Sequence, residues 1–187
     1  MKNKTLYIAL LSFVILYTSC SKISENIRED IFVNDTVYFN IPVLSDSTAS
    51  ATISGITSNL NLAEEIKKSA NSFTIANIKT TKITSLNLDL GTISKDSIDT
   101  KNNFANLGTL KFGFSTNGTI TNIANITIPS TATISHLTLS PSIPPESLTP
   151  ILTAPSPTYN VIVKAKAPTT TLMRVRAAAA YTITLSK

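Results

Sequence analysis

The chain predicts an all-β fold, an antiparallel two-sheet sandwich of immunoglobulin-like or related architecture with one short helix near residues 62–70. Three observations lead there. Twenty-eight threonines and twenty-three isoleucines among 187 residues make the chain rich in β-branched side chains, which are stiff at χ1 and pack well on a pleated surface. Several segments alternate apolar and polar residues with period two, as a sheet with one wet face requires. Turn signals recur at roughly ten-residue spacing, the rhythm of short strands in a sandwich.

The elements follow in order. Residues 31–43 form the first strand and residues 49–57 the second, where Ala51, Ile53 and Gly55 alternate with Thr52 and Ser54. The helix comes next. Asn61 is a good N-cap, Glu64 stands three residues on as in a capping box, and Glu64 to Lys68 is a favourable i,i+4 pair; Leu62 and Ile66 face the core. Residues 83–90 set Leu86, Leu88 and Leu90 against Ser85, Asn87 and Asp89, and residues 109–115 place Leu110, Phe112 and Phe114 inward. Asn117-Gly118 then gives the strongest short hairpin signal, because both residues accept positive φ. A two-residue turn sets Phe114 opposite Thr121 but Phe112 opposite Ile123, which calls for a bulge or a longer loop. Residues 134–139 supply another strand, with Leu137 and Leu139 inward.

Six prolines between Pro141 and Pro157 interrupt the ladder pattern, since proline lacks the donor that a central strand needs. The thirty residues after them are too few for a core of their own. They read as a terminal hairpin, residues 158–167 and 171–186, turning at Pro168-Thr169-Thr170. Its aligned apolar faces put Lys164 across from Arg174, with Lys166 and Arg176 nearby. Like charges opposite one another repel, so these four residues form a candidate anion-binding patch. A folded sheet can also neutralise them with Glu64, Glu65 or Asp89.

The amino terminus sets the address. Lys2 and Lys4 precede a short apolar run from Leu6 to Tyr17, then Thr18-Ser19 and Cys20, the only cysteine. The apolar run is too short for a spanning helix, which needs about 20 residues, and it has the proportions of an export signal. Residues 1–19 thus read as a lipoprotein signal peptide, Cys20 as the acylated residue, 20–30 as a polar tether and 31–187 as a single β-sandwich domain; the alternative is an ordinary export signal, with Cys20 lost with it or left as a free thiol. A lone thiol cannot staple a fold, so stability rests on packing. Fourteen of sixteen basic residues and all eleven acidic ones lie in residues 20–187, a balance of +3. From Ser147 onward there are five basic residues and no acid, a bias that suits an anionic glycan or lipid.

The lipobox is loose, with Tyr17 where Leu is usual and Leu16 one step back. It resembles lipoproteins of the Bacteroidetes type. The wording Ile83-Thr84-Ser85-Leu86-Asn87-Leu88, Asn103-Phe104-Ala105-Asn106-Leu107 and Ile151-Leu152-Thr153-Ala154-Pro155 is similar to small envelope lipoproteins of that group. The resemblance implies a sandwich fold and a place in the bacterial cell envelope, at the outer membrane, on its periplasmic or external side.

Chemistry finds few residues to work with. His136 is the only histidine, which excludes a His-rich metal site, and with Cys20 at the anchor no zinc set remains; it alternates with Leu137 and Leu139 and belongs on the wet face. No Gly-x-Ser-x-Gly elbow accompanies the serines. Asp96 and Asp99 sit in a polar loop with Lys95 and Lys101, as solvated turn residues. Five glycines and no tryptophan speak against phosphate loops and indole stacking platforms, and with Phe112 and Phe114 needed inside, nucleic acid is not expected as a partner. The sequence points to a non-enzymatic binding, adhesion or assembly module without a cofactor. A structural subunit of a surface fibre, or a carrier of a lipid or other apolar ligand, stands as the alternative.

Overall fold

The computed structural model describes residues 27–90, 100–116, 118–128, 132–154 and 157–187. The signal peptide, Cys20, the tether up to residue 26, the Lys95, Asp96 and Asp99 cluster and Asn117 lie outside the described residues. Eight strands are found among those described: β1 (Arg28–Ile41), β2 (Ser50–Thr57), β3 (Ile78–Leu90), β4 (Leu107–Thr116), β5 (Thr119–Thr127), β6 (His136–Leu139), β7 (Thr158–Ala165) and β8 (Met173–Ser186). β1 begins before residue 31, and its first residues, Arg28 to Asp30, pair with Ser186 to Thr184, so the tether gives up its last three residues to the sheet.

The strands form two four-stranded antiparallel sheets, one ordered β1-β8-β3-β6 and the other β2-β7-β4-β5. Pairing is nested about the β4–β5 turn: β1 with β8, β2 with β7, β3 with β6 and β4 with β5. It is as if one long hairpin were rolled up, and two further pairings, β3 with β8 and β4 with β7, close each sheet. Among sandwiches this is the jelly-roll order, distinct from the immunoglobulin arrangement.

That topology overturns the terminal hairpin. β7 and β8 are consecutive in the chain but lie in different sheets, because each strand finds its mirror partner about the central turn. The residues between them carry the chain from one sheet to the other. Asn102 Oδ1 holds that crossing by accepting the backbone N–H groups of Thr170 and Thr171, both at 2.9 Å, while Thr169 Oγ1 accepts the Leu44 N–H at 2.9 Å.

The β4–β5 hairpin forms as the sequence requires. Thr116 pairs with Thr119 across a two-residue turn, and Gly118 takes φ 79°. Phe114 faces Thr121, but Phe112 faces Ala124, so a bulge between Phe112 and Gly113 resolves the register conflict. Gly113 is required there: a Cβ would stand 2.7 Å from the Thr121 carbonyl oxygen.

Two α-helices are found among the described residues, not one. α1 (Leu62–Ser69) is capped by Asn61, whose Oδ1 accepts the Glu64 N–H at 3.3 Å, and it buries Leu62 and Ile66. Its ion pair joins Lys68 to Glu65 at 2.9 Å, an i,i+3 contact in place of the expected pair with Glu64. α2 (Pro145–Leu152) arises inside the proline-rich stretch. Proline suits the first helical turn, where its missing donor has no partner anyway, and α2 is held by burial of Leu148, Ile151 and Leu152 and by the bond from Thr149 to Thr81.

The core spans both sheets. Ile31, Val33, Val37, Phe39 and Ile41 of β1 point inward, as do Val175, Ala177, Ala179, Tyr181, Ile183 and Leu185 of β8. Between the sheets the rings of Phe39, Phe112, Tyr159 and Phe114 follow one another at centroid distances of 6.4, 5.1 and 4.5 Å. Aromatic pairs in this range add about 0.5–1.5 kcal/mol each beyond their area burial.

Candidate functional site

The outer face of the β1-β8-β3-β6 sheet carries two exposed rings and a row of bonded charged side chains. Alternation along β1 sends Phe32 and Tyr38 outward, where they are 76% and 70% exposed. Tyr38 pairs with Arg176, Arg176 with Asp89 and Asp89 with His136. One straight row across all four strands therefore reads ring, guanidinium, carboxylate, imidazole. The next row is Thr36, Ala178, Asn87 and Thr138. Beyond it come Asn34, Ala180 and Ser85, then Phe32, Thr182 and Lys82. The face is a polar strip over small alanines, with an aromatic ring near either end of the β1 side.

The charged row is bonded throughout. Arg176 Nη1 reaches Asp89 Oδ2 at 3.3 Å, and His136 Nδ1 lies 2.6 Å from Asp89 Oδ1. His136 Nε2 stands 3.2 Å from Thr138 Oγ1, which itself donates to Asn87 Oδ1 at 2.9 Å. An acid, an imidazole and a hydroxyl thus lie in sequence, the ordering of a hydrolase triad. The directions of the bonds are wrong for that chemistry. Thr138 donates its hydrogen to Asn87 Oδ1, so that proton is not aimed at Nε2 as the proton of a triad nucleophile must be. A general base must accept the nucleophile's proton; here the hydroxyl nearest His136 is engaged with Asn87 in a solvated polar ladder. His136 lies on the wet face, as its alternation predicts.

The four-cation patch does not assemble. Lys164 projects from the outer face of the β2-β7-β4-β5 sheet, beside Ser50 and Thr109, and Lys166 follows on the same side of the sandwich. Arg174, opposite Asn40, and Arg176 project from the other sheet. Both layers, stacked at about 10 Å, separate the two pairs. Asp89 meets Arg176 as the alternative reading allowed.

Asp35 was not singled out by sequence. It shares the inward face of β1 with Val33 and Val37, and a carboxylate on an otherwise apolar face is the signal that would have found it. Only 3% exposed, it accepts hydrogen bonds from Ser58 Oγ at 2.6 Å, Tyr159 Oη at 2.8 Å and the Asn59 N–H at 3.2 Å. Tyr181 Oη lies 2.7 Å from Tyr159 Oη. The chain ties the two sheets together through the core, since Asp35 and Tyr181 belong to one and Tyr159 to the other. Burial pushes both phenols well above the ordinary value of 10, with the Tyr181 hydroxyl and the Asp35 carboxylate adding to the effect on Tyr159.

One end of the sandwich carries two open grooves. The first, of about 380 Å³, runs between the 57–62 segment and Leu152, Thr153, Ala154 and Pro157. The second, of about 480 Å³, has a more apolar lining that includes Ala63, Phe73, Ile75 and Ala76, with Lys67 and Asn71 on its rim. Among the described residues no group of three or more His, Cys, Asp or Glu could hold a metal ion, and no helix is long and apolar enough to cross a membrane.

No protein-family model matches the chain, and no curated protein matches it in sequence. Solved structures with partial likeness include the capsid asymmetric unit of cyanophage Pam1 (12% identity, 81% of this chain and 84% of that one, TM-score 0.37). The acid-stable capsid of Helicobacter pylori bacteriophage KHP30 (9% identity, 86% and 100%, TM-score 0.35) and Desmodium yellow mottle tymovirus (11% identity, 87% and 90%, TM-score 0.30) are others. At such TM-scores these likenesses bear on neither family nor function.

Proposed function

We propose that this chain is a lipid-anchored, non-enzymatic binding module of a bacterial cell envelope, held at a membrane through Cys20 and recognising its partner with the outer face of the β1-β8-β3-β6 sheet. The single observation behind the recognition face is the pair of rings, Phe32 and Tyr38, set outward on a rigid strand beside a bonded polar row. Exposed aromatics offer large contact area at low entropic cost, and Asn34, Thr36, Asn87 and Thr138 supply donors and acceptors between them. An envelope protein or an anionic glycan suits such a face, with Arg174 and Arg176 at its upper edge. The address in a Bacteroidetes-type envelope rests on the amino-terminal sequence.

Affinity capture from the native membranes tests this reading. A partner recovered with the unaltered protein is lost with the Phe32→Ala/Tyr38→Ala variant, whose fold is spared because both rings are exposed. Equal capture by both proteins rejects the face.

A second reading, a structural subunit completed by a neighbour's strand, has one observation in its favour. β1 is a fourteen-residue edge strand. Asn59 Nδ2 covers the Thr36 carbonyl at 3.0 Å, whereas among the described residues no bond covers the stretch from Arg28 to Asn34 on that side. β-Augmentation there requires concentration-dependent oligomers, and a strict monomer at high concentration counts against it. The carrier alternative meets a core already filled by Phe39, Phe112, Phe114 and Tyr159.

A further inference from the structure

We propose that the end of the sandwich where the chain enters is a bilayer-contact surface. Ile27 and Ile75 sit at the boundary of headgroups and acyl chains, and Lys67 and Lys187 meet anionic headgroups. The inference rests on the acylation of Cys20 and adds to it the face that the anchored domain turns to the membrane.

Three observations carry it. First, the entry point and the apolar groove are one continuous surface. The Ile27 carbonyl accepts the Lys187 N–H at 3.2 Å, Lys187 Nζ lies 5.3 Å from the centre of the Phe73 ring, and Asn77 Nδ2 reaches the Ser186 carbonyl. Phe73 then lines the groove formed with Ala63, Lys67, Ile75 and Ala76. Second, Ile27 and Ile75 are 49% and 39% exposed; Lys187 bonds to the Ile27 carbonyl, and Lys67 lines the same groove as Ile75. Apolar residues at the centre with lysines on the rim are what an interfacial surface presents to anionic lipid. Glu29 and Asp30, paired with Leu185 and Thr184, follow Ile27 on β1 and line a separate pocket with Arg28 and Thr184. Third, reach is short: six residues lie between Cys20 and Ile27, so the seven steps span at most about 25 Å. A domain tied that closely rests on the membrane with the end nearest its tether.

The opposite end supplies the control. Leu172 is 44% exposed and precedes β8 at the far end of the sandwich, where Met173 pairs with Ile41. In the acylated full-length mature protein the Cys20 thiol is blocked, so Ile75→Cys or Leu172→Cys introduces a single labelling site for an environment-sensitive fluorophore. Each labelled protein is reconstituted in vesicles of phosphatidylethanolamine and phosphatidylglycerol whose acyl chains carry a nitroxide quencher. The expected result is quenching at position 75 and none at position 172, with the quenching at 75 reduced by Lys67→Glu/Lys187→Glu. Equal emission at the two positions in anchored protein overturns the contact surface and leaves the anchor standing. Labelling of Cys20 itself in the membrane-derived parent protein shows a free thiol and overturns the anchor and the contact surface together.

Discussion

Asp35 is the hub of the polar chain that joins the two sheets through the core. Removing its carboxylate takes an acceptor from the Ser58 and Tyr159 hydroxyls and the Asn59 N–H; of the three only Tyr159 is buried, where it keeps Tyr181 alone as a partner, and such a loss costs about 1–3 kcal/mol. Asp35→Ala is therefore expected to lower the urea midpoint strongly. Tyr181→Phe, which leaves the Tyr159–Asp35 bond in place, is expected to cost only about 1 kcal/mol. The phenols add a pH dependence with a definite sign. Their folded-state pKa values are raised above the unfolded value of 10, so above pH 10 the unfolded chain sheds protons that the folded one keeps. The stabilisation is complete below pH 10 and declines as pH rises from there, by up to about 1.4 kcal/mol per pH unit for each phenol. Urea titrations at pH 9 and pH 11 are expected to show this loss, and Tyr159→Phe is expected to reduce the slope. At this scale the sequence was partly legible. The inward Ile31, Val33, Val37, Phe39 and Ile41 imply that Phe32 and Tyr38 face outward, yet composition alone drew attention to the absence of tryptophan instead.

Among the elements, the β4–β5 hairpin and α1 make the sharpest tests. Gly113 is pressed against the Thr121 carbonyl by the bulge, whereas Gly55, at φ 70°, has open space where a Cβ would stand, with nothing within 4 Å. Gly113→Ala must push a strand backbone aside and is expected to cost about 1–3 kcal/mol or more; Gly55→Ala meets only its own backbone strain, about 1–2 kcal/mol. Thermal denaturation of the two variants ranks them. Asn61→Ala removes the N-cap of α1 and is expected to cost about 1 kcal/mol. Local signals found these elements because they act within a few residues: the Asn-Gly turn, the cap and the period-two leucines of β3. α2 escaped notice because proline counts in a window say little about position. Pro144 and Pro145 stand where a helix begins, and the burial of Leu148, Ile151 and Leu152 stabilises the rest.

The whole molecule is governed by pairing that adjacency in sequence does not reveal. β7 and β8 each carry an apolar face and follow one another, which suggests a hairpin, but the jelly-roll order sends β8 between β1 and β3, and β7 between β2 and β4. Alternation fixes which face of a strand is buried and leaves open which neighbour covers its edges. Lys164 and Arg176 consequently ended on opposite sides of the sandwich, while Phe32, Tyr38, Asp89 and His136, scattered across the sequence, came to one face. Such long-range pairing also makes folding slow, in the millisecond-to-second range typical of sheet-dominated domains, and stopped-flow refolding is expected to find it there. The envelope address depends on Cys20, and its most direct test is the intact mass and membrane partition of the protein purified from its native membranes, beside a Cys20→Ser variant. Acylation predicts a chain starting at residue 20 with added diacylglycerol and acyl mass, and release of the variant into the soluble fraction. An unmodified cysteine, or a variant that stays in the membrane with an unchanged mass, contradicts it.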